Sequence, residues 1–255
     1  MKKNTLAVVL AVYNEEKNLP GCLESIKDLA DEIVVVDGGS SDKTIDIANK
    51  FNAKVIKTSN PPIFHINKNK AIDAAKSDWI LQLDADERVT PQLLKEIKEV
   101  INSETYINGF WIPRRNFFLY RFLTKGGQYP DYTMRLYKNG KGRLPAKDVH
   151  EQAEIKGEVG YLKNDLLHLR DTNFSKYLDG LNRYTNLLAL QMKEGKLAKN
   201  PLEFINYFFI KSVMWFLKTY FRHKGFVDGA AGFIFSFFSA LRFPIAYLKY
   251  LKSPK

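Results

Sequence analysis

Three acids stand within four positions at Asp84, Asp86 and Glu87, directly after the apolar run WILQL (79–83). Two aspartates one residue apart at a strand end point to one side, with Ala85 turned away. Paired hard oxygens suit Mg²⁺ or Mn²⁺, and these ions commonly bridge to diphosphate oxygens. A calcium loop of the EF-hand kind is excluded, because the twelfth position counted from Asp84 is Lys95 and not Glu. Two more acid- or amide-bearing ends resemble this one: VYNEE (12–16) and VVVDGGSSD (34–42). Asp37 can accept hydrogen bonds from a base or ribose, and Gly38 and Gly39 permit a tight turn with close backbone approach. A dinucleotide fingerprint would need Gly-x-Gly-x-x-Gly after the first strand, where this chain has Tyr13-Asn14-Glu15-Glu16. A P-loop is absent too, so a nucleotide would be held by another device. Asp-x-Asp alone is a weak motif, and acids after strands often only form turns or caps. Here Thr90 already serves the next helix, and the order and spacing of the three segments carry the argument.

Such residues need a scaffold that delivers them to one edge. Apolar runs at 6–12, 32–36, 54–58 and 79–83 read as strands, and stretches at 18–29, 42–52 and 65–76 read as helices. This alternation predicts a mostly parallel sheet with helices on both faces. Ligands of such sheets bind at the carboxyl ends of the strands, where the acids lie. Ser41 and Asp42 are expected caps of the second helix, and Thr90-Pro91 starts a fourth near 92–102. After Asn108 the segments GFWIPRRNFFLY, YTMRLYK and KDVHEQAEI predict shorter strands, and from Phe174 the chain turns helical.

The chain has 255 residues, 45% of them hydrophobic, which allows a real core in one large domain with an appendage. A lone cysteine, Cys22, excludes an internal disulfide framework and fits a reducing compartment; it is expected to be a packing residue. The opening MKKNTLAVVLAVYNEE looks like a signal peptide, but its apolar run is short and no small-residue cleavage site follows. The net charge is +11, and residues 190–255 hold eleven Lys or Arg against three acids. That basic stretch contains FINYFFIKSVMWFLKTYF (204–221) and FVDGAAGFIFSFFSALRFPIAYLKYL (226–251). Charges interrupt both runs, and Pro244 is expected to kink the second. Amphipathic helices lying in a membrane interface fit better than a single span, with a helical subdomain or an oligomer interface as the plainer reading. A nucleic-acid partner is disfavoured, because the cations sit among Phe and Trp with no recognisable binding motif.

The segments VVLAVYNEEKNLPGCLESI, EIVVVDGGSSDKTIDIA and DWILQLDADERV, in that order, resemble the inverting family 2 glycosyltransferases of GT-A fold. NKNKAIDAAKSDW, the VHE at 149–151 and KGFVDGAAGF (224–233) are similar to the branch that builds lipopolysaccharide core and related cell-envelope glycans. The resemblance implies a GT-A catalytic domain over 1–170, with a nucleotide-binding half (1–107) and an acceptor-side half (108–170). It leaves 171–255 as a basic, aromatic helical region at a membrane. It further implies that Tyr13 and Glu15 line the nucleotide pocket, Asp37 contacts the base, and Lys68 lies near the donor. Asp84 would sit by ribose and metal, and Asp86 would bind the metal, Mg²⁺ or Mn²⁺. Arg135 would hold the diphosphate or be an ordinary strand-edge charge.

Inverting transfer needs a general base opposite the leaving group, and Glu151, His150 and Asp131 are the candidates. Glu151 is preferred, since it falls where this branch carries its His-Glu pair. His150 and Glu151 face opposite ways on a strand, so at most one points inward. The remaining His65, His168 and His223 show no metal spacing and are expected to be structural. No Q-x-x-R-W segment occurs, so single-sugar addition is expected rather than polymer extrusion. The implied activity moves one sugar from a nucleotide-diphosphate donor, UDP-linked by default, to a lipid-linked or core-type acceptor at the inner face of the cytoplasmic membrane. A nucleotidyltransferase is the enzymatic rival, weakened because VYNEE offers no glycine-rich basic loop. An inactive scaffold is opposed by the intact Asp-x-Asp.

Overall fold

A computed structural model describes residues 3–146 and 152–253. The chain divides into two compact units, one of residues 1–114 and 131–168 and one of residues 115–130 and 169–255.

The first unit opens with β1 (Leu6–Val12), α1 (Leu19–Ile26), β2 (Glu32–Asp37), α2 (Thr44–Lys50), β3 (Lys54–Lys57), α3 (His65–Ala74) and β4 (Trp79–Leu83). A turn leads to β5 (Glu87–Val89), followed by α4 (Pro91–Asn102) and β6 (Gly109–Phe118). The later strands are β7 (Arg121–Phe122), β8 (Asp131–Lys138), β9 (Gly142–Arg143), β10 (Glu154–Ile155), β11 (Val159–Tyr161) and β12 (Leu166–Asp171). Strands β6 and β12 run on into the second unit. The main sheet has the order β3-β2-β1-β4-β8-β6-β12-β5, with β7 and β11 attached to β6. Its first four strands are parallel, and β8 joins β4 antiparallel. The predicted βα alternation is therefore present, and the second half turns the sheet mixed.

Two-residue periodicity in β1 divides the core. Leu6, Val8, Leu10 and Val12 pack with α1, α2 and α4 on one face, joined by Trp79, Leu81 and Leu83 of β4. Ala7 and Val9 face α3 on the other, through Ala71 and Ile72. Helices thus cover both faces, as near-continuous apolar strands require. Helix α4 follows from its sequence in detail. Thr90 Oγ1 accepts from the Leu93 N–H at 3.2 Å, Pro91 takes the first turn, and Leu93, Ile97 and Ile101 bury a four-residue stripe. Cutting Ile97 to Ala there would cost about 2–5 kcal/mol. The N-cap position of α2 is Lys43, not Ser41 or Asp42; Asp42, one residue earlier, accepts from the Thr44 N–H, and the Ser41 N–H donates to Asn14. Helix α3 is different, for it buries His65, Asn67, Lys68 and Asn69. Its polar side chains are tied inward, with the Asn69 amide exchanging hydrogen bonds with both backbone groups of Leu144.

The second unit holds α5 (Phe174–Glu194), α6 (Pro201–Ile205), α7 (Lys211–Leu217) and α8 (Gly229–Lys252). Two π-helical turns, Asn206–Ile210 and Lys218–Arg222, flank α7. Helix α8 continues through Pro244, which the sequence marked only as a kink. Polar contacts as well as aromatic ones join α7 to α8: Ser212 Oγ donates to the Ala240 carbonyl at 2.8 Å, the Trp215 indole donates to Ser239 Oγ at 3.2 Å, and the Trp215 and Phe243 rings meet edge to face. A methyl group on Gly232 would meet the Gly225 carbonyl oxygen at 1.9 Å, so only glycine permits that approach. Meanwhile Phe209, Ile210, Val213, Met214, Leu217 and Phe221 are exposed. The segment Gly225–Lys252 is long and apolar enough to cross a membrane by length and composition.

Candidate active site

The carboxyl ends of β1, β2 and β4 meet at one edge, as their parallel register requires. The first two loops brace each other. The Asn14 N–H donates to Ser40 Oγ, the Ser41 N–H to Asn14 Oδ1, and the Glu15 N–H to Thr44 Oγ1, each at 2.8 Å. Asp37 is fully buried and accepts from the Gly39 and Ser40 N–H groups at 2.9 Å, with Gly39 at φ +88°. Its carboxylate thus builds the Asp-Gly-Gly-Ser turn that shapes the edge. Tyr13 is exposed at that edge, and Glu15 Oε2 accepts from the Asn18 amide at 2.8 Å.

The third loop carries the charge. Strand β4 ends at Leu83, and residues 84–87 form a turn closed by the Glu87 N–H on the Asp84 carbonyl at 2.9 Å. Strand alternation therefore does not run through the two aspartates, and they take different partners. Asp84 Oδ1 lies 2.5 Å from Lys68 Nζ, and its Oδ2 lies 2.6 Å from Arg135 Nη2. Asp86 Oδ2 lies 3.4 Å from His168 Nε2. Glu87 is 0% exposed and ties the cluster together. Its Oε1 accepts from Arg135 Nη2 at 2.8 Å and Arg114 Nη1 at 3.4 Å, and its Oε2 accepts from the Asp84 N–H at 3.0 Å. Arg114 continues to Asp131 Oδ2 at 2.7 Å. Three cations thus alternate with three carboxylates, the arrangement that makes buried charge tolerable.

Electrostatics follow from these distances. Burial alone would raise the Asp84 carboxyl, but Arg135 and Lys68 outweigh it and hold it well below the usual carboxylate range. Burial lowers the Lys68 ammonium, against the pull of Asp84. Asp86 is also lowered, because the hydrogen bond and charge of His168 overcome the cost of burial. Arg135 is raised, since Asp84 and Glu87 prevail over desolvation. Burial pushes the Cys22 thiol up, in keeping with a packing residue.

Lys68, Asp84 and Arg135 open onto a cavity of about 150 Å³ with Gln82, Arg114 and Gln152 in its wall. Tyr13, Glu15 and Asp37 belong to the neighbouring loops and do not line it. His150 and Glu151 lie outside the described residues, but the next residue, Gln152, is anchored on β8. Its Oε1 accepts from Thr133 Oγ1 at 3.0 Å and from the Met134 N–H at 3.1 Å. The Arg135 Nε is buried with no hydrogen-bond partner among the described atoms, leaving a donor beside the cavity.

Sequence reasoning assigned no role to Glu87, Arg114 or His168. His168 shows no metal spacing in the sequence, and its partner lies far away in the chain. Strand β12 pairs antiparallel with β5 and sets His168 directly opposite Glu87, beside Asp86. A polar residue in LLHL, otherwise apolar, was the available signal. Among the described residues no group of three His, Cys, Asp or Glu forms a complete metal site. Asp86 supplies a hard carboxylate oxygen, which suits Mg²⁺ or Mn²⁺ alongside water and phosphate oxygens, and the neighbouring imidazole of His168 is a donor that fits Mn²⁺ better than Mg²⁺. The Asp84 carboxylate already has a cation on each oxygen.

Known glycosyltransferases resemble this chain over most of its length. The lipopolysaccharide core biosynthesis glycosyltransferase LpsC of Rhizobium meliloti is 28% identical, the match covering 94% of this chain and 92% of LpsC. An uncharacterized glycosyltransferase of Rickettsia typhi, RT0209, is 27% identical over 92% of this chain and 82% of its own length. The crystal structure of S. aureus TarS matches with a TM-score of 0.50 at 18% identity, covering 89% of this chain. This chain spans 46% of the TarS chain, and the likeness speaks to the GT-A fold alone. The family model for glycosyl transferase family 2 matches residues 7–152, a stretch that holds all three acidic loops. The chain is a glycosyltransferase and belongs to glycosyl transferase family 2.

Proposed function

We propose that the enzyme moves one sugar, with inversion, from a nucleotide-diphosphate donor to a lipid-linked or lipopolysaccharide-core-type acceptor in cell-envelope glycan synthesis. The observation that carries this reading is the Lys68–Asp84–Arg135 cluster on a small polar cavity at the end of β4. A UDP-linked donor is the first choice. Tyr13, Glu15 and Asp37 are assigned to the nucleoside, with Asp37 toward the base and Asp84 toward the ribose. Lys68 and Arg135 are assigned to the diphosphate, and the orphan Arg135 Nε supports that assignment.

Mg²⁺ or Mn²⁺ would be held by Asp86 with His168, and Asp84 would contribute only by exchanging a cation for the ion. When bound, the ion supplies positive charge to the departing diphosphate. Lys68 and Arg135 do the same from fixed positions, so little reorganisation is needed as charge develops. Glu87 holds Arg135 from behind. Glu151 is the proposed base: it takes the proton of the acceptor hydroxyl while the oxygen bonds to the anomeric carbon and the nucleoside diphosphate leaves. Asp131, paired with Arg114, is a weaker candidate.

The acceptor reading draws on LpsC and on the second unit, where α7 and its flanking turns expose Phe209, Ile210, Val213, Met214, Leu217 and Phe221. An exposed apolar stripe of that kind is expected where the surroundings are lipid. We assign the unit to the inner face of the cytoplasmic membrane as a peripheral anchor. A spanning helix is less suitable, because Asp228 is buried against the Thr124 and Lys125 N–H groups and Lys249 is bound by Thr185 and Asn186 of α5. The test is a thermal-shift panel of UDP, GDP, CDP and ADP, with and without Mn²⁺. A ligand that binds only the folded state raises the melting temperature. One metal-dependent shift supports the donor site and names its nucleotide; a flat panel removes the donor assignment.

A further inference from the structure

Helix α7 and its flanking π-helical turns carry a feature that the transfer reaction does not use. An open cavity of about 590 Å³ lies along this segment, floored by Met214, Trp215, Leu217, Phe221 and Phe243. Its size falls within the range of sites that bind small molecules. The polar lining is cationic throughout: Lys211, Lys218 and Arg222. Among the described residues no carboxylate pairs with any of the three. Lys211 Nζ instead sits 3.7 Å from the centre of the Tyr207 ring, and Lys218 Nζ 5.2 Å from that of Trp215. A second cavity of about 330 Å³, bounded by Leu188, Met192, Leu197 and Tyr207, shares Lys211 and Phe243 with the first.

The floor is built, not incidental. The Trp215 indole N–H is fixed on Ser239 Oγ, and the Arg242 guanidinium stacks 3.8 Å from its ring centre and 4.8 Å from that of Phe243. Apolar walls beneath a lysine that borders two cavities match an amphiphile with an anionic head and acyl chains. Water-exposed lysines beside aromatic faces keep their charge at the rim while their stems cover apolar surface. A nucleic-acid strand would leave the apolar floor unfilled, and a protein helix would bring no required negative charge.

We propose that this groove is a discrete binding site for an anionic glycerophospholipid, with the phosphate held by Lys211 and Lys218 and acyl chain in the Trp215–Phe243 cavity. The proposal rests on the reading that the second unit meets a membrane, but it asks for a stoichiometric site rather than a surface.

The test uses the full chain and a short-chain phosphatidylglycerol with brominated acyl chains, kept below its micelle concentration. Tryptophan emission reports contact with bromine. Saturable quenching is expected, and it should vanish in Trp215→Phe while Trp79 and Trp111 still emit. Lys211→Gln and Lys218→Gln should each weaken binding about fivefold, as removal of one basic residue from an anionic lipid contact does. If Lys211→Gln does not fold, exposed Lys218 carries the comparison alone. Equal binding of the phosphatidylcholine analogue would overturn the headgroup site. Absence of saturable quenching, with the protein still floating on long-chain phosphatidylglycerol vesicles, would overturn the proposal and leave the membrane reading intact. Loss of both flotation and quenching would remove both.

Discussion

Replacing Glu87 with Gln tests the charge cluster most directly. The side chain is 0% exposed and makes three contacts: Arg135 at 2.8 Å, Arg114 at 3.4 Å and the Asp84 N–H at 3.0 Å. An amide has one acceptor oxygen. Turned toward the guanidinium groups, it sets its own N–H₂ against the Asp84 N–H, and turned the other way it faces two cations with a donor. Breaking a buried pair by removing one partner costs about 3–5 kcal/mol, and the surviving acceptor sets the value near the lower figure, about 3 kcal/mol. For a chain of this size each kcal/mol moves the melting temperature by about 2–4 °C, so a fall of about 6–12 °C is expected. Thermal unfolding followed by circular dichroism measures it. In a double-mutant cycle the coupling of Glu87 to Arg135 should exceed that to Arg114, in line with the shorter contact. A fall below about 2 °C would mean less than about 1 kcal/mol and would refute the view that Glu87 holds the cluster.

Asp86→Asn and His168→Gln should each abolish the Mn²⁺-dependent part of the nucleotide thermal shift while the metal-free melting temperature stays near wild type; a retained shift in both would move the ion elsewhere. Glu151→Gln should keep donor binding and lower single-turnover transfer at least about a hundredfold, the usual contribution of a general base, and near-normal transfer would turn attention to Asp131 or His150. Because the Asp84 carboxyl is held well below its usual range, it stabilises the fold fully above the unfolded value near about pH 4 and loses that contribution only as pH falls toward its folded value. Melting temperatures of wild type and Asp84→Asn should therefore differ by a constant gap above about pH 5 and converge in stronger acid; a gap that widened in acid would contradict the sign. Thr90→Ala should cost about 1–2 kcal/mol, read in urea, since it removes both the cap on Leu93 and the bond to the Asp165 carbonyl.

Local chemistry made the first half of the fold legible. Leu6–Val12 and Trp79–Leu83 are strands with the expected bounds, and Thr90-Pro91 opens α4, because each is decided by nearby residues. The second half is decided by distant ones. Strand β8 lies next to β4 through an antiparallel register of Leu81 with Leu136, which no local period encodes. The site divides the same way. Lys68, Asp84 and Arg135, each a candidate in the sequence, lie together. Glu87 had no assigned part because its neutralising partners come from β6 and β8, and His168 because β12 sets it opposite β5. Pro244, expected to kink its run, lies inside α8, which continues past it to Lys252.

The pairing of three-residue β5 with β12 also bears on how the chain is made. Its partner leaves the ribosome some eighty residues later, an interval of roughly 4–16 seconds at ordinary synthesis rates. The neighbouring edge of β4 is closed sooner, by β8 some fifty residues after it, and until then it is the kind of segment that captures stray strands. Lys68 is already made, but Arg114 and Arg135 come only with β6 and β8, so three carboxylates within four residues leave that end charged and hydrated in the interval. Charge placed at the end of a core strand is thus also the kind of feature that discourages wrong edge-to-edge pairing before the sheet is complete.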